Sequence, residues 1–586
     1  MISLPEKEKY FSSGQYRKLP ILLRTLAATV IICFWMGSIW LYRTNPENPN
    51  NSLLLKELYE NDNVCPIAKK MIPSRDGQFT ELSYFRTPEY KNHSLDVWGG
   101  VVRIPTMTYD DFPINGSDHK FDIFYRMEDF IKKSFPHIVA RSESIHINTH
   151  ALVFIIKGTN NSLKPVLLTA HQDVVPVPLE TVSRWKYPPF EGHFDGQYLW
   201  GRGAADDKDH FISMMEAVEH LLSQNFVPKR TIIIGLGFDE EIEGIRGAKL
   251  ISDYLSKRYG KNSIFFISDE GGMGVQDMYG ARLALPSIGE KGYIDISIGL
   301  STTGGHASIP PRHTAIGIMS ELATLIESKP YDLRLTEKNP FYVQLQCMAK
   351  EGKDMDPLLR NSIRGINYSP NAKELVLKTL DKDIMTRYLV SNSQAINIFA
   401  GGIKINALPE KVIMKINHRV SYDSSLEEVK QIVLKNVKII AEKYDLGIKE
   451  YDTDSSSEFK DIPKGEFTLS TDVNLVPAPK SPTAGYPWNI FAGSIKYIYE
   501  DFAIYPDADP SIGKGVTVAP SVMSANTDTK YFWDLSENIY RFSPFRGQCS
   551  KNWHAINERV DLDSHIESVA FFYTLLRNVE EYDSNF

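Results

Sequence analysis

Cysteine, positive charge and nucleophile motifs are what this sequence has least of, and each shortage removes a class of function. Four cysteines are spread over 586 residues. Cys33 lies inside an apolar run, while Cys65, Cys347 and Cys549 stand far apart with no CxxC pair. That pattern excludes a cysteine zinc knuckle and leaves at most one disulfide among the three outside the run. The formal net charge is -8, and no basic stretch offers a local patch, so a nucleic-acid partner is excluded. No GxSxG sits on a strand-to-helix turn, which removes the nucleophilic hydrolases built on that motif. Internal repeats and low-complexity tracts are missing as well.

What is present begins with an uncharged run from Thr25 to Tyr42, TLAATVIICFWMGSIWLY, about the minimum length that crosses a hydrocarbon core as a helix. It ends in Trp40 and Tyr42, which suit a membrane interface and not the small-residue cleavage site of a signal peptide. Lys7, Lys9, Arg17, Lys18 and Arg24 precede it, whereas Arg43 alone follows before Lys56. The positive-inside rule therefore predicts a single N-terminal transmembrane helix at 25–42, a cytosolic tail at 1–24, and a body on the lumenal or outer side. Sequons at Asn50, Asn92, Asn115, Asn160 and Asn367 fit passage through the secretory pathway. The polar stretch TNPENPNNS, within 43–63, has too little apolar surface to fold and reads as a stalk.

From residue 64 to 292, apolar runs such as LVFIIKG, PVLLTA, TIIIGLGF and SIFFIS alternate with helical patterns such as HFISMMEAVEHLLSQ. Buried strands alternating with helices predict an α/β fold, a mixed and mostly parallel sheet with flanking helices. Residues 293–455 follow a different order: strand, helix, two strands, helix, strand. That order predicts an inserted ferredoxin-like βαββαβ lid domain, interrupted from about Lys329 to Arg387 by a helical segment without a readable motif. Residues 456–586 return to the first domain.

The chemistry gathers at the ends of the apolar runs. His171 and Asp173 stand in HQD directly after PVLLTA, where the carboxyl end of a parallel strand opens onto an active site. Asp173, two residues on, points to the same side of an extended backbone and can hold the second ring nitrogen of a metal-bound imidazole. LWGRGAADDKDHF brings Asp206 and Asp207 to a helix start; an acidic helix cap explains them as well as a bridge between cations does. TIIIGLGF runs into Asp239, Glu240, Glu241 and Glu243, and SIFFIS into Asp269 and Glu270. Carboxylates crowded at buried strand ends repel one another unless a cation sits among them. His554 in HAINE adds a distant imidazole. Imidazole and carboxylate donors without a thiolate suit a di-zinc site.

The ordered set HQDVVPV, GRGAADDK, FDEEIEG, SDEGG, TTGGHAS and HAINE resembles the co-catalytic zinc exopeptidase family that includes aminoacylase and carnosinase, from about Val101 to the carboxyl end. The resemblance implies two zinc ions per subunit. It implies His171, Glu241, Asp269 and His554 as terminal ligands, with Glu270 the alternative to Asp269. It also implies Asp206 as the bridge, Glu240 as general base and Asp173 as the residue that orients His171. His306 in GGHAS, Asn406 in INALPE and Arg419 in INHRVS correspond to substrate-contacting positions, Arg419 for a free carboxylate; a turn His, a turn Asn and an exposed strand Arg are the bland readings. WKYPPFEG, FDGQYLWGRGA and NTDTK, together with the anchor, point within the family to a carboxypeptidase of short peptides in the vacuole. An N-acyl-amino-acid hydrolase or dipeptidase with the same site is the rival expectation. Relatives take the matching His from the lid of a second subunit, which implies a homodimer; the long lid insertion argues against one.

Overall fold

Three six-residue apolar segments form strands with every residue buried: β1 (Ala151–Ile156), β2 (Val166–His171) and, after the helix α1 (Lys208–Ser223), β3 (Ile232–Gly237). Continuous burial, in place of alternation, marks strands covered on both faces. The short β4 (Ile267–Asp269) follows. The structure, a computed structural model, describes residues 64–74, 80–451, 464–503 and 512–585. The expected tail, anchor and stalk lie outside those residues. Among the described residues, no helix is long and apolar enough to cross a membrane.

The main sheet has eight strands in the order Glu143–Ile147, β1, β3, β2, β4, Ile539–Arg541, Ser287–Glu290, Ser521–Met523. Its centre is parallel: β2 runs with β3 and with β4, and β4 with Ile539–Arg541. It is mixed at the edges, where β1 opposes β3. In register, His171 lies beside Gly237. The residues leaving β2, β3 and β4 therefore emerge at one edge, which is where the α/β architecture places its chemistry. The helix Leu562–Glu580 packs beside α1 and closes one face.

The second sheet is built around β5 (Gly292–Ser301) and β6 (Lys411–Val420). On β5, Ile294, Ile296, Ile298 and Leu300 point to one side and form a separate core with the helices Ala315–Glu327 and Leu426–Tyr444. Period-two burial of this kind belongs to a sheet with a single covered face. Ser425 caps the second helix by accepting the Glu428 N–H at 3.1 Å, the arrangement favoured by a Ser-x-x-Glu start.

The lid runs further than residue 455. The strand β7 (Glu466–Leu475) lies between β5 and the strand Gly447–Lys449. The five-strand order is Ser393–Gly401, β6, β5, β7, Gly447–Lys449. The expected return point at 456 is thereby corrected: the chain rejoins the first sheet past Leu475, where the Ala478 N–H donates to the Glu290 carbonyl. Only Phe467 and Leu469 face inward on β7, so its alternation is too short to read from sequence.

Within the insertion, Cys347 lies on the helix Pro340–Glu351 and forms a disulfide with Cys65, while Cys549 is free. Residues 357–375 form a unit of their own, with the helix Pro357–Arg364 and the start of the helix Pro370–Leu380.

Candidate active site

The last residue of β2 is His171, whose side chain is only 2% exposed. Its Nδ1 lies 3.0 Å from the Asp173 carbonyl and 3.3 Å from Asp173 Oδ1. Nε2 faces the other way, 3.2 Å from Asp206 Oδ1 and 3.4 Å from Glu270 Oε1. Asp206 also reaches across the cleft: its Oδ2 is 2.9 Å from His554 Nε2, which lies 3.2 Å from Glu241 Oε1. One carboxylate thus stands between two imidazoles that are 383 positions apart in the chain (554 minus 171).

Asp173 is completely buried and its oxygens are satisfied by named donors. Oδ1 accepts the Glu240 N–H at 3.0 Å; Oδ2 accepts the Glu241 N–H at 3.1 Å and the Thr108 hydroxyl at 2.8 Å. The residue beside His171 therefore also fixes the turn carrying Glu240 and Glu241. Thr108 carries no motif in the sequence.

The acidic run after β3 divides into two pairs. Asp239 is structural: it accepts the N–H groups of Arg246 and Gly247, each at 2.8 Å. Glu243 is neutralised by Lys530 Nζ at 3.2 Å and accepts the Tyr293 hydroxyl at 3.1 Å. Glu240 and Glu241 remain, and among the described residues no lysine or arginine is ion-paired with either or with Glu270. Behind the turn lies Asp528 of the NTDTK run, buried and packed so closely that a Cβ on Gly244, which has φ +68°, would stand 2.1 Å from its Oδ1. Only glycine serves at such a position.

The expectation that Asp269 occupies the fourth ligand position meets a different geometry. Asp269 ends β4 with its carboxyl toward Thr169, and Glu270 is the acid that faces His171. Neighbouring residues at a strand end project to opposite sides, so only one of the pair can look into the cleft. Asp207 faces it as well, its Oδ2 3.3 Å from the His171 N–H. Oxygen and nitrogen atoms of His171, Asp206 and Glu241, and of His171, Asp207 and Glu270, converge closely enough to surround a cation. This donor set, two imidazoles and several carboxylates without a thiolate, fits a pair of metal ions.

The electrostatics favour the same occupant. Burial, then the charge of Asp206, pushes Glu241 and Glu270 up to about 7. Burial, reinforced by Asp528, Glu270 and Glu241, raises Glu240 well above the usual carboxylate range against the pull of His171. Hydrogen bonds to Asp206 and Glu241 lift His554 to about 10. Burial acts to raise Asp206, but hydrogen bonds with His171 and His554 outweigh it and hold the carboxyl low. Raised groups carry protons that an incoming cation must displace. Divalent-cation affinity of the metal-free protein is accordingly expected to climb from about pH 6 to about pH 10, as Glu241 and Glu270 and then His554 give up their protons, with proton release on binding. Calorimetry in buffers of differing ionisation heat checks this; pH-independent affinity contradicts it.

The lid residues separate into two places. His306 lies in, and Asn406 adjoins, a small antiparallel two-strand pairing of Gly305–His306 with Ala407–Leu408, and both are exposed. The His306 ring accepts the Ser308 N–H at 3.1 Å, and among the described residues no hydrogen bond or ion pair joins it or Asn406 to the carboxylate cluster. Arg419, near the end of β6, lies at the base of the lid. Its Nη1 donates to Asn526 Oδ1 at 2.6 Å and its guanidinium rests 5.5 Å from the Tyr293 ring centroid. Asn526 stands two residues before Asp528, so Arg419 touches the run that backs the Glu240 turn.

A parallel sheet that delivers imidazole and carboxylate donors at one edge, with a lid sheet inserted beside it, defines a metal-binding hydrolase architecture. The model of peptidase family M20/M25/M40 matches residues 167–578. The chain belongs to that peptidase family. Carboxypeptidase S of Saccharomyces cerevisiae is 38% identical over 500 residues, covering 84% of this chain and 85% of that protein. The N-fatty-acyl-amino acid synthase/hydrolase PM20D1 of Mus musculus is 28% identical over 493 residues, covering 82% and 87%. In fold, human carnosine dipeptidase 1 superposes with a TM-score of 0.55 at 14% identity, over 86% of this chain and 99% of that one.

Proposed function

We propose that this chain is a zinc carboxypeptidase that hydrolyses the C-terminal peptide bond of short peptides. The observation that carries the reading is Asp206, one oxygen toward His171 and the other toward His554. His171, Asp206 and Glu270 would hold one ion, and His554, Asp206 and Glu241 the other. Two zinc ions held there would supply electrophilic polarisation of the scissile carbonyl and a more acidic attacking water. Glu240 takes the proton from that water and returns it to the leaving amine. Asp173 fixes the backbone of that base and the imidazole of His171 together, so base and ligand keep their spacing. Arg419 receives the substrate's free carboxylate, its planar guanidinium suited to a bidentate contact. His306 would meet the developing oxyanion and Asn406 the substrate backbone, carried together by the pairing of Gly305–His306 with Ala407–Leu408.

The 38% identity to carboxypeptidase S supports the peptide reading. The relative whose name is an N-fatty-acyl-amino acid hydrolase makes acyl amino acids the second reading. Profiling the purified body with zinc against amino-blocked dipeptides, free dipeptides and fatty-acyl amino acids decides between them. Fastest turnover of blocked dipeptides is expected; preference for the fatty-acyl substrates would transfer the assignment.

The same reading places residues 25–42 in a membrane as a type II anchor, with the body in the vacuole lumen. The Cys65–Cys347 disulfide supports it, since stable disulfides belong to oxidising compartments. So does the exposure of Asn92, Asn115, Asn160 and Asn367, which leaves every described sequon open to glycosylation. Protease added to sealed vesicles should leave the body intact, and its digestion would remove the topology. A homodimer is part of the reading too, paired along the lid's edge strand Ser393–Gly401, where Ile398 and Phe399 are 48% and 42% exposed. Sedimentation as a monomer would strike it out.

A further inference from the structure

Glu558 ends the HAINE run four residues after His554 and is fully buried. A carboxyl so far from water persists only where its oxygens are matched by donors. Oε1 accepts two backbone N–H groups, Ala205 at 2.9 Å and Asp206 at 3.2 Å. Oε2 pairs with the buried guanidinium of Arg202, which also reaches the Ala555 carbonyl at 3.5 Å. One further tie joins the same segments, the Gly201 N–H donating to the Glu558 carbonyl at 3.0 Å, and the Lys186 N–H fastens a third segment to Asn557 Oδ1 at 2.6 Å. The segment carrying His554 and the turn carrying Asp206 are thus fastened together at the bridging residue's own N–H.

His554 needs that fastening. Its side chain is 50% exposed, and its ion-pair partners among the described residues are Asp206 and Glu241, the groups it meets in the site. Packing does not hold the ring in place, so its position follows from where its segment is tied. An ion pair with Arg202 would occupy Oε2 alone; Oε1 spends both its contacts on the turn that ends in Asp206.

We propose that Glu558 is a positioning residue for the metal pair. It holds the Asp206 backbone at the distance from His554 at which one carboxylate reaches both imidazoles, without touching substrate itself. The inference rests on the two-metal reading above. It is tested on the full chain by zinc titration against a competing chelator, with folding followed by circular dichroism. The unaltered protein should bind two zinc ions; if it does not, the reading of the site fails and not the placement of Glu558. Folded Glu558→Gln should bind zinc about 10–100-fold more weakly, the usual scale for losing a partner that orients a ligand, with kcat lowered and KM for a blocked dipeptide little changed. Arg202→Lys, which leaves Glu558 in place but loosens its anchor, should lose about threefold or more in the same titration and decides the matter should Glu558→Gln not fold. Zinc affinities equal to the unaltered protein's in a folded variant, with two ions bound, would overturn the proposal.

Discussion

Glu240→Gln is expected to keep both zinc ions while turnover falls about 10²–10⁴-fold, the scale for removing a positioned general base. Gln preserves size and hydrogen bonding, and the backbone N–H at this position still donates to Asp173 Oδ1. The turn should therefore stay in place. The substituted carboxyl is one that burial and neighbouring acids already raise well above the usual range, the condition in which a carboxylate binds a proton avidly. Glu241→Gln provides the contrast, since Glu241 lies 3.2 Å from His554 Nε2 and its loss should lower metal content. Metal analysis beside cleavage rates on both variants separates proton transfer from metal retention. Loss of zinc from Glu240→Gln, or near-normal turnover by it, would reverse the two roles.

Arg419→Met should weaken transition-state binding of free-acid peptides by about 2–4 kcal/mol, the cost of a lost charge-assisted bidentate contact. Met retains much of the side chain's length and its packing beside Tyr293, so metal content should not change. The structure adds a control. Arg419 donates to Asn526 Oδ1, and Asn526 Nδ2 donates to the Lys291 carbonyl at 2.8 Å, which ties the lid base to the run behind the Glu240 turn. If Arg419 only braced that junction, amidated and free-acid substrates would suffer alike. Selective loss on free acids marks carboxylate recognition, and equal cleavage of both by the unaltered enzyme would end that assignment.

Much of the candidate site was legible because its candidate ligands follow apolar strands. His171, Glu240, Glu241, Asp269 and Glu270 all stand directly after runs that can only be buried, and charge at such a place calls for a counter-ion. The order of two acids at the end of β4 was not legible: Glu270 faces His171 and Asp269 turns away, a choice set by the register in which β4 pairs with its neighbours. The lid boundary escaped for a related reason, since β7 buries only Phe467 and Leu469 and its membership in the lid is settled by backbone pairing. Thr108, Arg202 and Glu558 escaped because a buried polar residue shows its purpose only through its partner.

The sequence by itself determined the kind of chemistry and the candidate residues for it, along with the alternation of strands and helices, because residue type and hydrophobic period are local properties of the chain. Only the tertiary structure decided which acids meet which imidazoles. It set Asp206 between His171 and His554, gave Asp239 and Glu243 to backbone N–H groups and to Lys530, and left Glu240 and Glu241 free of such partners among the described residues. The physical reason is that charge is neutralised through space. A carboxylate's role depends on the nearest donor, and in this chain that donor is often hundreds of residues away.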